Sequence, residues 1–258
     1  MFDLSAHAVA DLPVSASSGE LAQSIARLVT SPPHEELLPL LAPYDPWAVS
    51  LETAQFLDGL IEQLRPLSVL EFGAGRSSLV LASALQRCGG GRITSIEHQP
   101  ALAEQAWRKV SQFAAVDARL VPARLALHVS KHGLLHEYVG IGRTMRMRGP
   151  FDFVFIDAPP GYLGRDATLL AAAPFLAAGA VAVLDDAMRP GEKTAVRRWN
   201  RAMDVETVFA SDAVGKGVVV LRVLQPARPF FSLRTFHGTV HDRILEWQRR
   251  GDGTRLPT

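Results

Sequence analysis

The sequence predicts an α/β fold: a mostly parallel sheet with helices on both faces, closed by an antiparallel strand pair. Three observations carry that prediction. Short apolar runs alternate with helix-length segments from Ser68 onward, the pattern of parallel strands joined by crossover helices. Phe151 to Ile156 is a nearly continuous apolar run, as expected of a strand buried on both faces. The last two β-like runs, Val205 to Phe209 and Val218 to Val223, are joined by a turn at Ser211 to Gly217 that is too short for a crossover helix, so the final strand runs antiparallel to its neighbours.

Each element follows in order. Residues 1–18, rich in Ala and Ser, read as a lead-in. Glu20 to Val29 is a short helix, Ser31-Pro32-Pro33 a break, and Glu35 to Leu41 a further helical turn or two. Ala54, Leu57, Ile61 and Leu64 fall at helical spacing within Leu51 to Leu64, and Arg65-Pro66 stops that helix. Strands are expected at Ser68 to Phe72, Arg92 to Glu97, within Ala118 to Leu127, and at Phe151 to Ile156 and Ala180 to Leu184. The helices between and after them are Leu79 to Gln86, Pro100 to Phe113, Ala167 to Leu176 and Glu192 to Ala202. His128 to Pro150 reads as an irregular, basic segment and a candidate lid.

Composition limits the partners. Lys and Arg number 27 against 26 Asp and Glu, a formal charge of +1, which points away from nucleic acid and anionic membrane. The local basic exceptions are Arg143, Arg146 and Arg148, and the tail with Arg243, Arg249 and Arg250. One cysteine, Cys88, permits neither an internal disulfide nor a thiolate metal site. Residues 1–19 lack a signal-peptide pattern and no apolar run approaches the ~20 residues that span a bilayer, so a cytoplasmic protein is expected.

The most informative stretch is Ser68 to Ser78, S-V-L-E-F-G-A-G-R-S-S. Val69 and Leu70 favour strand, Gly73 and Gly75 permit a tight turn and close approach to a ligand, and Ser77 or Ser78 can cap the following helix. Strand, loop and helix N-terminus stand in the order that nucleotide-type cofactors require. A dinucleotide site asks for G-x-G-x-x-G, and Ser78 occupies the third glycine position. Glu71, two residues before the first glycine, would repel a pyrophosphate and attract a cationic amino group.

With I-T-S-I-E-H, F-D-F-V-F-I-D and A-V-A-V-L-D-D following V-L-E-F-G-A-G at suitable spacings, the stretch from Pro46 to Leu224 resembles the class I S-adenosylmethionine-dependent methyltransferases. The resemblance implies a Rossmann-like seven-stranded sheet of order 3-2-1-4-5-7-6. It divides the chain into an N-terminal extension (1–45), a cofactor-binding methyltransferase domain (46–225) and a C-terminal extension (226–258). That apolar tail, with Phe230, Phe231, Phe236, His237, His241 and Trp247, is expected to pack on its own domain or against a second copy in a homodimer.

The same resemblance places Glu71, Gly73, Gly75, Ser77, Ser78, Glu97, His98, Asp157 and Ser50 around S-adenosylmethionine, with Trp47 beside Ser50. Glu71 would sit near the methionine amino group, directly or through water, Glu97 at the ribose hydroxyls and His98 beside the adenine. The nearest pattern is that of the catechol-type O-methyltransferases, where acids after strands four and five hold a divalent cation. Asp157, Asp185 and Asp186 resemble that set, with Asp186 where an amide is expected, and would bind Mg or another divalent ion. Without a metal, Asp185 or Asp186 would cap the Glu192 helix or pair with Arg189. Asp157, alone or through a metal, would take the acceptor proton; Asp157 and Asp185 are the catalytic candidates, with Lys193 and His132 as alternative bases. The acceptor is expected to be a small molecule entering near Tyr162, Arg165 and Arg189, methylated on oxygen or nitrogen. D-A-P-P-G-Y departs in register from the D-P-P-Y loop of amino methyltransferases. Two other readings use the same turn: a nicotinamide oxidoreductase, disfavoured by Glu71, Ser78 and the terminal strand pair, and a non-catalytic cofactor-binding module, which has no need of the three aspartates.

Overall fold

The computed structural model describes residues 19–32, 34–42, 48–226, 231 and 233–251. Trp47, and the lead-in at 1–18, lie outside the described residues. Three helices come first: α1 (Gly19–Leu28), α2 (Leu37–Leu41) and α3 (Leu51–Leu64). The alternating part follows as β1 (Ser68–Phe72), α4 (Arg76–Arg87), β2 (Gly91–Glu97), α5 (Pro100–Val110) and β3 (Val116–Pro122). After a hairpin of β4 (Leu125–Ser130) and β5 (Gly133–Tyr138) come α6 (Gly142–Arg148), β6 (Phe151–Ile156), α7 (Asp166–Ala172) and β7 (Leu176–Leu184). The chain ends with α8 (Pro190–Ala202), β8 (Val205–Ser211), β9 (Val218–Val223) and α9 (Leu233–Gly251).

The main sheet has seven strands in the order β3-β2-β1-β6-β7-β9-β8. Counted within that sheet, this is the 3-2-1-4-5-7-6 order. Strands β1, β2, β3, β6 and β7 pair in parallel, while β9 runs antiparallel to both β7 and β8. Period-two alternation sends side chains to two separate cores. Val69, Phe153, Phe155, Val181, Val183, Val218 and Val220 face one core, with Leu57 and Ile61 of α3 and Leu81 and Leu85 of α4. Leu70, Phe72, Val154, Ile156, Ala182, Leu184, Val219 and Leu221 face the other, with Leu169 of α7 and Trp199 of α8. Burial on both faces explains why β6 reads as an unbroken apolar run.

Two sequence expectations change. The segment 128–150 is not irregular: the β4–β5 hairpin and α6 fill most of it. The hairpin turn is Lys131-His132, which lacks the Asn-Gly type signal, and Gly133 follows at φ +104°. Gly133 is required by α9, because any side chain there would run into Thr239. The helix expected at Ala167 to Leu176 is shorter, ending at Ala172 before a single turn over Ala173–Phe175 that contains Pro174. Leu176 already opens β7.

The last helix lies along the hairpin and α8. Thr239 Oγ1 donates to the His132 carbonyl at 2.9 Å, Arg198 joins Asp166 at 2.6 Å to Asp242 at 2.7 Å, and Arg243 donates to the Leu163 carbonyl at 2.7 Å. Its outer side exposes Leu233, Ile244 and Trp247. Of the basic groups singled out above, Arg148 is a structural tie, donating to Thr94 Oγ1 on β2 and bonding Asp117 on β3. No helix among the described residues is long and apolar enough to cross a membrane.

Candidate active site

The carboxyl ends of β1, β2, β6 and β7 converge on one edge of the sheet, where the chain departs into loops. At the end of β1, Gly73 has φ +97° and donates to the Ile96 carbonyl at 2.9 Å. A methyl group on Gly73 would stand 2.8 Å from Ala158 Cβ, so the turn closes only with glycine. Gly75 differs. Its backbone is extended at φ 179°, and a side chain there would project into open space at the start of α4.

Glu71, Ser77 and Ser78 do not line that space. The Glu71 carboxylate is fully buried and accepts from Ser77 Oγ and Ser78 Oγ, each at 2.6 Å, and from Ser95 Oγ on β2. Ser78 Oγ also accepts the Gly75 N–H at 3.1 Å. Three hydroxyls and one acid thus bind the glycine loop, the first turn of α4 and β2 together. Burial pushes the Glu71 pKa up to about 7, against the pull of the three hydroxyls. The acid fixes the loop from beneath.

Glu97 ends β2 and is nearly buried. Its Oε2 accepts the Ala74 N–H at 2.9 Å and its Oε1 the Gln99 N–H at 2.6 Å, which sets the carboxylate beside the glycine loop. His98 Nδ1 lies 3.0 Å from Glu97 Oε1 outside hydrogen-bonding geometry. The His98 ring meets Tyr138 of β5 edge-on at 6.3 Å, and Tyr138 packs on Phe72 at 5.6 Å. The Tyr138 hydroxyl is buried with no hydrogen-bond partner among the described residues. Burial, with the charges of Glu97 and Asp157 nearby, raises its pKa far above the ordinary phenol value, so it remains a neutral donor in search of an acceptor.

The three predicted aspartates do come together. Asp157 follows β6, Asp185 and Asp186 follow β7, and a carboxylate oxygen of each lies within 4.8 Å of the others. Asp186 sits at φ +54°, a left-handed conformation that Asp tolerates better than most residues and that is held here by the Arg189 N–H to Asp186 carbonyl bond at 3.0 Å. Between the acids lies Arg165, 3% exposed. Its Nη2 donates to Asp157 Oδ1 at 3.1 Å and Asp186 Oδ2 at 3.2 Å, its Nη1 to the Asp185 carbonyl at 2.7 Å, and its Nε to the Pro159 carbonyl at 3.1 Å. Glu192 on α8 stands 3.7 Å behind it. Burial alone would lower the Arg165 pKa; the surrounding carboxylates outweigh it and raise it. Burial raises the pKa values of Asp157 and Asp185, Arg165 opposes, and the neighbouring acids add to the rise.

Helix α3 closes one side. Ser50 caps it, accepting the Thr53 N–H at 3.2 Å, and Thr53 Oγ1 donates to Asp185 Oδ1 at 3.4 Å. Ser50 is therefore tied to the site through Thr53. Arg189 reaches Asp186 at 2.8 Å from the rim, and Tyr162 is exposed on the loop after β6. His132 is in the hairpin turn under α9, and Lys193 is in the first turn of α8.

Residues 70–187, from β1 to just past β7, match the model of a family described as a methyltransferase domain. The seven-stranded, mostly parallel sheet is the Rossmann-like fold of solved O-methyltransferase structures. The Transmembrane O-methyltransferase of Propithecus coquereli is 32% identical over 139 residues, covering 53% of this chain and 47% of the relative. The chain thus spans about half the length of the curated relatives it matches. Among solved structures, the O-methyltransferase TomG from Streptomyces achromogenes, in complex with SAM, has a TM-score of 0.54 at 22% identity, covering 80% of this chain and 96% of that one. The O-methyltransferase from Bacillus cereus, in complex with SAH, also gives 0.54, at 20% identity over 79% and 97% of the two chains.

Within this methyltransferase fold, sequence reasoning missed Tyr138, Thr53 and the position of Arg165. The alternation of Leu134, His136 and Tyr138 was a faint strand signal for the first. Thr53, the third residue of a predicted helix, carried no signal.

Proposed function

We propose that the chain transfers a methyl group from S-adenosylmethionine to an oxygen of a small-molecule acceptor. The observation that carries this reading is Glu97 at the end of β2, bonded to the Ala74 N–H beside the open face of Gly75. An acid there suits a ribose diol, and a loop without side chains suits the rest of the cofactor. The orphan Tyr138 hydroxyl supports a polar ligand on the same side. The printed names of the relatives favour oxygen as the methyl acceptor.

The cofactor supplies a methyl carbon on a sulfonium sulfur, whose departure leaves a neutral thioether. The residues of this chain must hold the acceptor in line and take its proton, and alignment of this kind is worth about 7–11 kcal/mol in favourable cases. Asp157 is the group to accept that proton, because Asp185 and Asp186 are less exposed and Asp157 ends the central strand of the edge. As the acceptor oxygen bonds to the methyl carbon, its hydrogen passes to the free oxygen of Asp157. The divalent ion that the resemblance adds would have to share these acids with Arg165.

Calorimetry with S-adenosylmethionine, S-adenosylhomocysteine and NAD tests the reading. Micromolar binding of the first two, weakened in Glu97→Gln, is expected, followed by radiolabelled methyl transfer to members of a panel of hydroxylated small molecules. Binding of NAD with no response to either methionine cofactor would overturn it.

A further inference from the structure

We propose that the Arg165 guanidinium is the resident cation of this site, so that Asp157, Asp185 and Asp186 bind no divalent metal and the acceptor is handled without one. The part concerning the metal stands on geometry alone; the part concerning the acceptor rests on the methyl-transfer reading above.

A divalent ion ligated by one oxygen from each aspartate would sit at roughly 2.0–2.6 Å from each of them. The place between Asp157 and Asp186 is already taken. Arg165 Nη2 lies 3.1 and 3.2 Å from the facing oxygens of these two residues, bridging them as a metal would. The guanidinium is also pinned from both sides by backbone, with Nη1 on the Asp185 carbonyl and Nε on the Pro159 carbonyl. Four of its five N–H donors are therefore used, and with 3% of the residue exposed it has no route to solvent that keeps them satisfied. A metal entering the same gap would meet a fixed positive charge at contact distance.

The local sequence agrees. Asp186 stands where the metal-binding pattern has an amide, and its carboxylate is engaged by two guanidinium groups. Its Oδ2 accepts from both Arg165 and Arg189, at 3.2 and 2.8 Å. Glu192, 3.7 Å from Arg165 Nε, supplies a further charge that a metal ion between the aspartates would not reach but that a guanidinium, wider than an ion, does. The prolines at Pro159 and Pro160 carry the loop that returns Arg165 to the strand ends. The cation is thus part of the polypeptide, held by the same loop that follows Asp157.

Two arms test this, and neither needs a known acceptor. Manganese titration of the purified full chain, read by electron paramagnetic resonance and calorimetry, is expected to show no stoichiometric site below millimolar concentration. In Arg165→Met the vacated carboxylates should gain a Mn²⁺ site at least tenfold tighter, which a second change, Asp185→Asn, removes. A micromolar Mn²⁺ site in the unmodified protein that disappears in Asp157→Asn or Asp185→Asn would overturn the proposal, as would a folded Arg165→Met with no gain in Mn²⁺ affinity. If Arg165→Met does not fold, the titration of the unmodified protein decides by itself. Failure of the methyl-transfer reading would appear separately, as absence of S-adenosylmethionine binding with the manganese results unchanged. Once an acceptor is in hand, turnover should be the same in EDTA as in added Mg²⁺, and loss of turnover in EDTA restored by Mg²⁺ would also overturn it.

Discussion

Two places in this fold gather acids around one arginine, and they behave differently. On the helical flank, Arg87 of α4 bonds Asp58 and Glu62 of α3, with Glu36 at 3.5 Å and His34 3.0 Å from Asp58. At the sheet edge, Arg165 joins Asp157, Asp186 and Glu192. Each place holds three ligand-type side chains close together, His34, Asp58 and Glu62 on the flank and Asp157, Asp185 and Asp186 at the edge. The flank even borders a hollow of about 350 Å³ lined by Leu28, His34, Asp58 and Glu62. Yet its members sit mostly on regular helices, and the arginine side chain is 25% exposed, so water shares the work of stabilising the charges. The edge cluster hangs from loops at the carboxyl ends of parallel strands, beside a glycine turn, with its arginine 3% exposed. Composition is nearly the same in the two clusters; position on the sheet separates a helix clamp from a candidate reaction site.

The largest expected contrast is in activity. Arg165→Met should lower methyl transfer at least 100-fold, because it frees Asp157 and Asp186 from their common partner, while Arg87→Met leaves kcat/KM within about twofold; equal losses would erase the distinction. Stability should separate them less widely. Removing the guanidinium of the buried edge network costs about 3–5 kcal/mol, and removing Arg87, which leaves Asp58 buried, about 1–3 kcal/mol, read from urea midpoints at constant m.

A smaller effect concerns the cofactor side. Glu97→Gln loses a charged acceptor worth about 1.5 kcal/mol, so the S-adenosylmethionine Kd should rise roughly tenfold by calorimetry, while Glu62→Gln on the flank leaves it unchanged. A pH effect lies beneath the glycine loop. The Glu71 pKa is raised from the ordinary 4.5 to about 7 in the folded chain, so the unfolded chain ionises first. Its contribution to stability is then full below 4.5, falls as pH rises to about 7, and is flat above. Glu71→Gln should remove that decline, about 3 kcal/mol in total across the window, as seen in urea midpoints at pH 4.5, 6 and 7.5. An unchanged pH profile would mean that Ser77, Ser78 and Ser95 hold the charged form as easily as water does.

Much of the site could be read in advance. Gly73, Glu97, Asp157, Asp185 and Asp186 were found because strands announce their own ends: an apolar run stops, and the residue that follows belongs to the edge of the sheet. The structural role of Glu71 was not legible for a related reason. The sequence puts it inside β1, but only the fold shows three hydroxyls from α4 and β2 reaching it before any ligand can. The hairpin was hidden because Lys131-His132 is an unusual turn and because β4 fully buries none of its residues, which weakens alternation as a signal. Tyr138 went with it.

By itself the sequence determined the order of strands and helices, the two-faced burial of the central strands and the acids at their tips, because these depend on neighbours along the chain. Only the tertiary structure decided which charges meet. Arg165 is eight residues from Asp157 and twenty-one from Asp186, and nothing in that spacing says that its guanidinium turns inward between two strand ends. Electrostatic partners are chosen over a few ångströms of space, and those distances exist only after the sheet has brought β6 and β7 side by side.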